Sequence, residues 1–190
     1  MNPPTFAPSF LTAKVAVVDY ETYYDGEYSV ASMSYWHYCH HPKFRAYRVG
    51  IVTTDGLKWV GDPKDAPWDK IREHVWVSHN RPFDWNVHGR LQELHVVPAW
   101  HPPYWGNSAN LCAWIRAPRS LAKAVKALFR VTHDKGIRDK EMKGRSWEEY
   151  GPELQQRVDR DLVTLQHVEH AGRKAGFEHQ LGQHDGRRRV

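Results

Sequence analysis

The chain has 190 residues, 41% of them hydrophobic and 26% charged, with 27 Lys and Arg against 22 Asp and Glu for a formal net charge of +5. That length suits one domain whose core needs no disulfide support, and two cysteines, Cys39 and Cys112, are too few for a disulfide framework or a cysteine-based zinc site. No apolar run spans a bilayer and Met1-Asn2-Pro3-Pro4 opens no secretory pattern, so a reducing cytoplasm without a membrane partner is expected, while the small positive excess permits an anionic partner without identifying one.

Residues 1–12 are proline-rich and read as a flexible lead-in. A first strand is predicted over about residues 14–20, where the apolar run Val15-Ala16-Val17-Val18 suggests burial on both faces. A connection rich in Tyr, Gly and Asp follows. Phe44 to Thr53 alternates as a second strand, and Asp55-Gly56 marks a hairpin into Leu57–Val60. Pro67 opens a short predicted helix to about His74, and Val75-Trp76-Val77-Ser78 returns as a strand. Asn80 is placed as the N-cap of a helix running to about His95, with Pro82 in its first turn. Ser120 precedes an amphipathic helix, Leu121 to Phe129, and a loop rich in Lys, Arg and Gly leads to a last helix from about Pro152 to His170, stopped by Gly172. Residues 176–190 form a basic tail expected to lack fixed structure. Strands first and helices interleaved later predict an α/β fold with helices on the faces of a sheet.

Four acids stand where a carboxylate is costly to place. Asp19 and Glu21 close the first strand, and strand alternation sets them side by side on one face. Asp84 falls in the helical stripe Asp84, Val87, Leu91, Leu94, and Asp161 in the stripe Leu154, Val158, Asp161, Leu165, Val168. Buried carboxylates must be paired, protonated or metal-bound, and four of them with no matching buried cations point to a divalent-metal site.

These residues carry a family resemblance. Asp19-Tyr20-Glu21-Thr22 resembles the first motif of the DnaQ-like (DEDD) 3′–5′ exonucleases, and His79-Asn80-Arg81-Pro82-Phe83-Asp84 resembles the second. Asp161 matches the acid of the third, and the stretch from Pro118 to Trp147 is similar to the exonuclease domains of bacteriophage-type DNA polymerases. The resemblance implies an RNase H-like fold, a mixed central sheet of about five strands flanked by helices, with residues 13–175 as the exonuclease domain. It further implies two Mg²⁺ or Mn²⁺ ions held by Asp19, Glu21, Asp84 and Asp161. Carboxylates are natural ligands for such hard cations, which supply the charge stabilisation that phosphodiester hydrolysis needs. The implied substrate is single-stranded DNA or a frayed 3′ end, with RNA the alternative and a separately encoded polymerase as a partner.

One departure stands out. The family carries a Tyr four residues, or a His five residues, before its third acid; here those positions hold Arg157 and Gln156. Arginine stays protonated, so Arg157 enters the catalytic set as a cation and not as a base, and a weakly active or silent nucleic-acid-binding module is the rival expectation. The plainer role of Arg157 is an ion pair with Asp161. Substrate contacts are expected from Thr22, Tyr23, Asn80 and Phe83, and from Lys135 and Lys140 in the basic loop, against capping, packing and solvated-loop roles for the same residues. The run Trp36-His37-Tyr38-Cys39-His40-His41 is too crowded for a tetrahedral zinc site.

Overall fold

The computed structural model describes residues 13–130, 141–160 and 162. Lys135, Lys140, Asp161, the lead-in and the tail lie outside the described residues. The sheet has five strands: β1 (Val15–Thr22), β2 (Ala46–Thr53), β3 (Lys58–Gly61), β4 (Val75–Ser78) and β5 (Trp105–Asn107), in the order β3-β2-β1-β4-β5. β1 pairs antiparallel with β2 and parallel with β4; β2–β3 is antiparallel and β4–β5 parallel. The expected α/β architecture, a mixed sheet of five strands flanked by helices, is what forms.

The helices are α1 (Tyr35–His40), α2 (Arg81–Glu93), α3 (Ser108–Trp114) and α4 (Leu121–Phe129), and residues 152–160 form a fifth, α5. The hairpin forms as predicted: Gly56 takes φ 99°, and the Thr53 and Leu57 main chains close the turn at 2.9 Å. Residues 67–74 do not make an α-helix. A single 3₁₀ turn, Trp68–Ile71, buries both its ends, and that i, i+3 spacing is satisfied by one tight turn before β4 starts. α2 stops at Glu93 because His95 adopts a left-handed φ of 56°. Leu94, expected on its buried stripe, is consequently 47% exposed. Three elements were not anticipated. α1 occupies the connection after β1, with Ser34 capping it through the His37 N–H and Tyr38 and Cys39 buried. β5 is three residues long and exists only through pairing with β4, and Asn107 caps the α3 that follows.

Two cores lie on opposite faces of the sheet. Ala16, Val18 and Tyr20 of β1 pack with Trp68, Trp76, Phe83, Val87 and Leu91. On the other face, Met142, Tyr150, Val158 and Leu162 pack with Tyr24, Tyr47, Val60, Trp147 and Leu154. Adjacent Trp59 and Val60 of β3 divide between the two clusters, as strand alternation requires. Among the described residues no helix is long and apolar enough to cross a membrane.

Candidate active site

The first and second motifs meet at the C-terminal end of β1. Asp19 and Glu21 are half-buried on one face of the strand, while Tyr20 between them is 3% exposed and turned into the α2 core. Asp84 sits in the first turn of α2 at 1% exposure, where the helix N-terminus favours a negative charge. Its Oδ1 accepts a hydrogen bond from the Tyr20 main-chain N–H at 3.3 Å. This contact brings the Asp84 carboxylate to the backbone of the residue that separates Asp19 from Glu21. One turn further along α2, His88 Nδ1 meets the Tyr20 hydroxyl at 2.6 Å. The imidazole is 2% exposed and ringed by Trp68, Trp76 and Trp105. Burial pushes its pKa down from the usual 6.5 to about 3, with His101 adding a smaller push, so His88 is neutral.

The expected substrate-contacting residues divide. The Thr22 side chain is buried, and its Oγ1 bonds the Tyr38 hydroxyl at 2.6 Å, which itself donates to the Tyr23 carbonyl at 2.5 Å. Tyr23 donates to Asp25 at 3.1 Å and stacks on Tyr28 at 6.1 Å. Asn80 is exposed at the N-cap position, but its side chain makes no capping bond and instead exchanges contacts of 3.2 and 3.4 Å with the Tyr35 hydroxyl. Its carbonyl accepts from the N–H groups of Phe83 and Asp84. Phe83 is a wall of the core, edge-on to Tyr35 at 5.8 Å. His79 is fixed by Ser108 Oγ at 3.0 Å and the Arg119 carbonyl at 2.7 Å.

Around Glu21 the structure gathers residues that the motifs did not mark. The β1–β2 register shifts between Glu21 and Thr22: Glu21 faces Arg48 and Thr22 faces Ala46, so Tyr47 is an extra residue, a β-bulge. The Tyr47 hydroxyl donates to the Thr22 carbonyl at 3.1 Å and lies 3.2 Å from that of Tyr150. Burial pushes the Tyr150 phenol up to about 12, with the Glu21 carboxylate adding to the rise, and burial also raises Tyr47, helped by its hydrogen bond to Tyr150 and then by Glu21. Tyr150, eleven residues before Asp161 in sequence, is thus carried to the Glu21 end of β1 by the turn before α5. Arg157 pairs with Glu141 at 3.1 Å, both about 40% exposed. Register and bulge are set by pairing, and no local motif signals them.

For a divalent ion the donor chemistry is suitable: Asp19, Glu21 and Asp84 offer hard oxygen ligands. Among the described residues no group of three His, Cys, Asp or Glu side chains closes into an ion-binding set, and the fourth acid, Asp161, lies outside them.

No family model and no characterised protein matches the chain by sequence. Solved structures of one protein align with the chain. A point mutant of the catalytic core of RRP6 from Trypanosoma brucei aligns with a TM-score of 0.50 at 15% identity, covering 93% of this chain and 45% of that one. The same core without the mutation aligns at a TM-score of 0.43 and 15% identity, covering 88% of this chain and 47% of that one. The chain therefore spans less than half the length of these structures, and the likeness is one of fold, the RNase H-like fold that the motifs imply. The similarity to bacteriophage-type polymerase domains has no counterpart in these comparisons.

Proposed function

We propose that the chain is a metal-dependent 3′–5′ exonuclease that removes nucleotides from the 3′ end of single-stranded DNA. The observation that carries this reading is the hydrogen bond from Tyr20 N–H to Asp84, which joins the Asp-x-Glu strand to the buried acid of the second motif. A carboxylate 1% exposed in a helix N-terminal turn, hydrogen-bonded to the strand backbone between two further acids, suits binding of hard cations better than it suits folding alone.

Asp19, Glu21, Asp84 and Asp161 would hold the ions, which when bound supply an activated water and neutralise charge on the phosphate. The chain's own residues do the positioning. Tyr20, gripped through its main chain by Asp84 and through its hydroxyl by His88, fixes the strand end against α2. Tyr35 holds the Asn80 amide at the rim, where it would meet the terminal nucleotide, and Phe83 walls that rim from below. With Arg157 in the place of the family's tyrosine, general-base help of about 10²–10⁴-fold is missing, and slow turnover is expected.

The test is an end-labelled single-stranded oligonucleotide with Mg²⁺ or Mn²⁺. Stepwise shortening from the 3′ end, blocked by a 3′-phosphate, by chelator and by Asp19→Ala, supports the reading. Cleavage of circular single strands points to an endonuclease on this fold. Binding without cleavage at any metal concentration points to a silent nucleic-acid-binding module, and preference for an RNA oligonucleotide moves the substrate to RNA.

A further inference from the structure

Arg48 stands directly opposite Glu21 in the β1–β2 register, and directly opposed residues of an antiparallel pair share a face. The bulge at Tyr47 sets two residues of β2 against one of β1 and turns both toward the same neighbour. The Tyr47 ring stacks on Trp147 at 5.6 Å, and the Arg48 guanidinium lies over the Trp147 ring 3.7 Å from its centroid. Arg48 Nε also donates to Asp159 Oδ1 of α5 at 3.2 Å, and its Nη1 to the Tyr47 carbonyl at 3.3 Å. The Arg48 side chain is 19% exposed and that of Asp159 36%, against about 40% for both members of the Arg157–Glu141 pair, so the Arg48 guanidinium is the shielded group.

Three pieces of chain therefore converge on one guanidinium: the bulged strand, the turn that carries Trp147, and α5. A planar, permanently charged group can stack on a ring and pair with a carboxylate at the same time, which lysine cannot do with comparable geometry. We propose that Arg48 is a positioning residue for the site, a clamp that holds the 147–160 segment, the stretch leading to Asp161, against the strand end that carries Glu21. This rests on the nuclease reading of Glu21. It explains why a bulge sits beside a motif acid: the extra residue re-aims Arg48 and Tyr47 together onto Trp147.

The clamp is tested with Arg48→Ala, Arg48→Lys and the swapped pair Arg48→Asp with Asp159→Arg. Each is read by amide hydrogen exchange and by titration with Mn²⁺ alone. Arg48→Ala should speed exchange across residues 152–160 while leaving α2 protected, and should weaken Mn²⁺ binding about 10-fold, the size of effect typical of residues that orient metal ligands. Turnover should fall with KM within about twofold, because the substrate rim near Asn80 is untouched. Arg48→Lys should fall between Ala and wild type, and the swapped pair should recover part of the protection and of the Mn²⁺ affinity. Unchanged exchange in 152–160, or faster exchange with unchanged Mn²⁺ affinity, overturns the proposal. If Arg48→Ala fails to fold, Arg48→Lys carries the same comparison, and wild-type behaviour in both readouts overturns it. A wild-type protein that neither binds Mn²⁺ nor cleaves sinks the nuclease reading instead, while the exchange data still report whether the clamp exists.

Discussion

The Tyr20 hydroxyl meets His88 Nδ1 at 2.6 Å inside a cage of tryptophans, directly beneath the strand end that carries Asp19 and Glu21. Because burial depresses the His88 pKa from 6.5 to about 3, the folded protein excludes a proton that the unfolded chain binds. Its contribution is complete above pH 6.5 and is lost as the pH falls toward 3. Between pH 7 and pH 5 this one group should remove on the order of 2 kcal/mol of stability. Urea denaturation across that range should show the loss, and His88→Phe should flatten it. A slope that survives His88→Phe assigns the acid sensitivity to another group.

Asp84→Asn separates charge from hydrogen bonding. The amide oxygen can still accept from Tyr20 N–H, so stability should stay within about 1 kcal/mol of wild type, whereas Asp84→Ala strands that donor and should cost about 1–3 kcal/mol. If Asp84 holds a metal as proposed, both should lose exonuclease activity by at least about 10²-fold, since its charge is gone in each. Wild-type turnover in Asp84→Asn would remove Asp84 from the site.

Thr22→Val should act on the fold and not on the chemistry. The Thr22 hydroxyl is buried against the Tyr38 hydroxyl, which keeps its bond to the Tyr23 carbonyl, so the loss should be that of one buried hydrogen bond, about 0.5–1.5 kcal/mol. Denaturant midpoints should drop while kcat, corrected for the folded fraction, stays the same. A fall in kcat at full folding would return Thr22 to the substrate-contacting set.

Tyr35→Phe releases the Asn80 amide from its tether to the Tyr35 hydroxyl without touching the acids. KM for a single-stranded oligonucleotide should rise severalfold with little change in kcat, the signature of lost ground-state positioning. Equal falls in kcat and kcat/KM would instead place Asn80 in transition-state stabilisation.

Arg157→Ala should change stability by no more than about 1 kcal/mol, because its pair with Glu141 is solvent-screened. The rate is the informative readout. A drop in turnover means that the guanidinium leaves Glu141 to stabilise the transition state, and a rise in Arg157→Tyr means that the position lacks a phenol. No change in either variant places Arg157 outside the chemistry.

Much of this was legible locally. The apolar run ending in Asp19 and Glu21 made a buried strand, and the three- and four-residue spacing from Asp84 through Val87 to Leu91 made a helix with its acid turned inward. Such periodicities need no knowledge of the rest of the chain, because burial acts residue by residue along each element. What tertiary structure decided is everything that depends on a partner. β5, only three residues long, has no pattern of its own and exists because β4 offers it hydrogen bonds. The bulge at Tyr47 is a property of register between two strands, so no reading of either strand alone places Arg48 opposite Glu21. Tyr150 and Glu21 are distant in sequence, and the hydrophobic packing of Tyr150, Val158 and Leu162 against the far face of the sheet brings that phenol to the strand end. Composition and periodicity set which residues carry charge and which elements bury them, and the packing of those elements sets which charges meet.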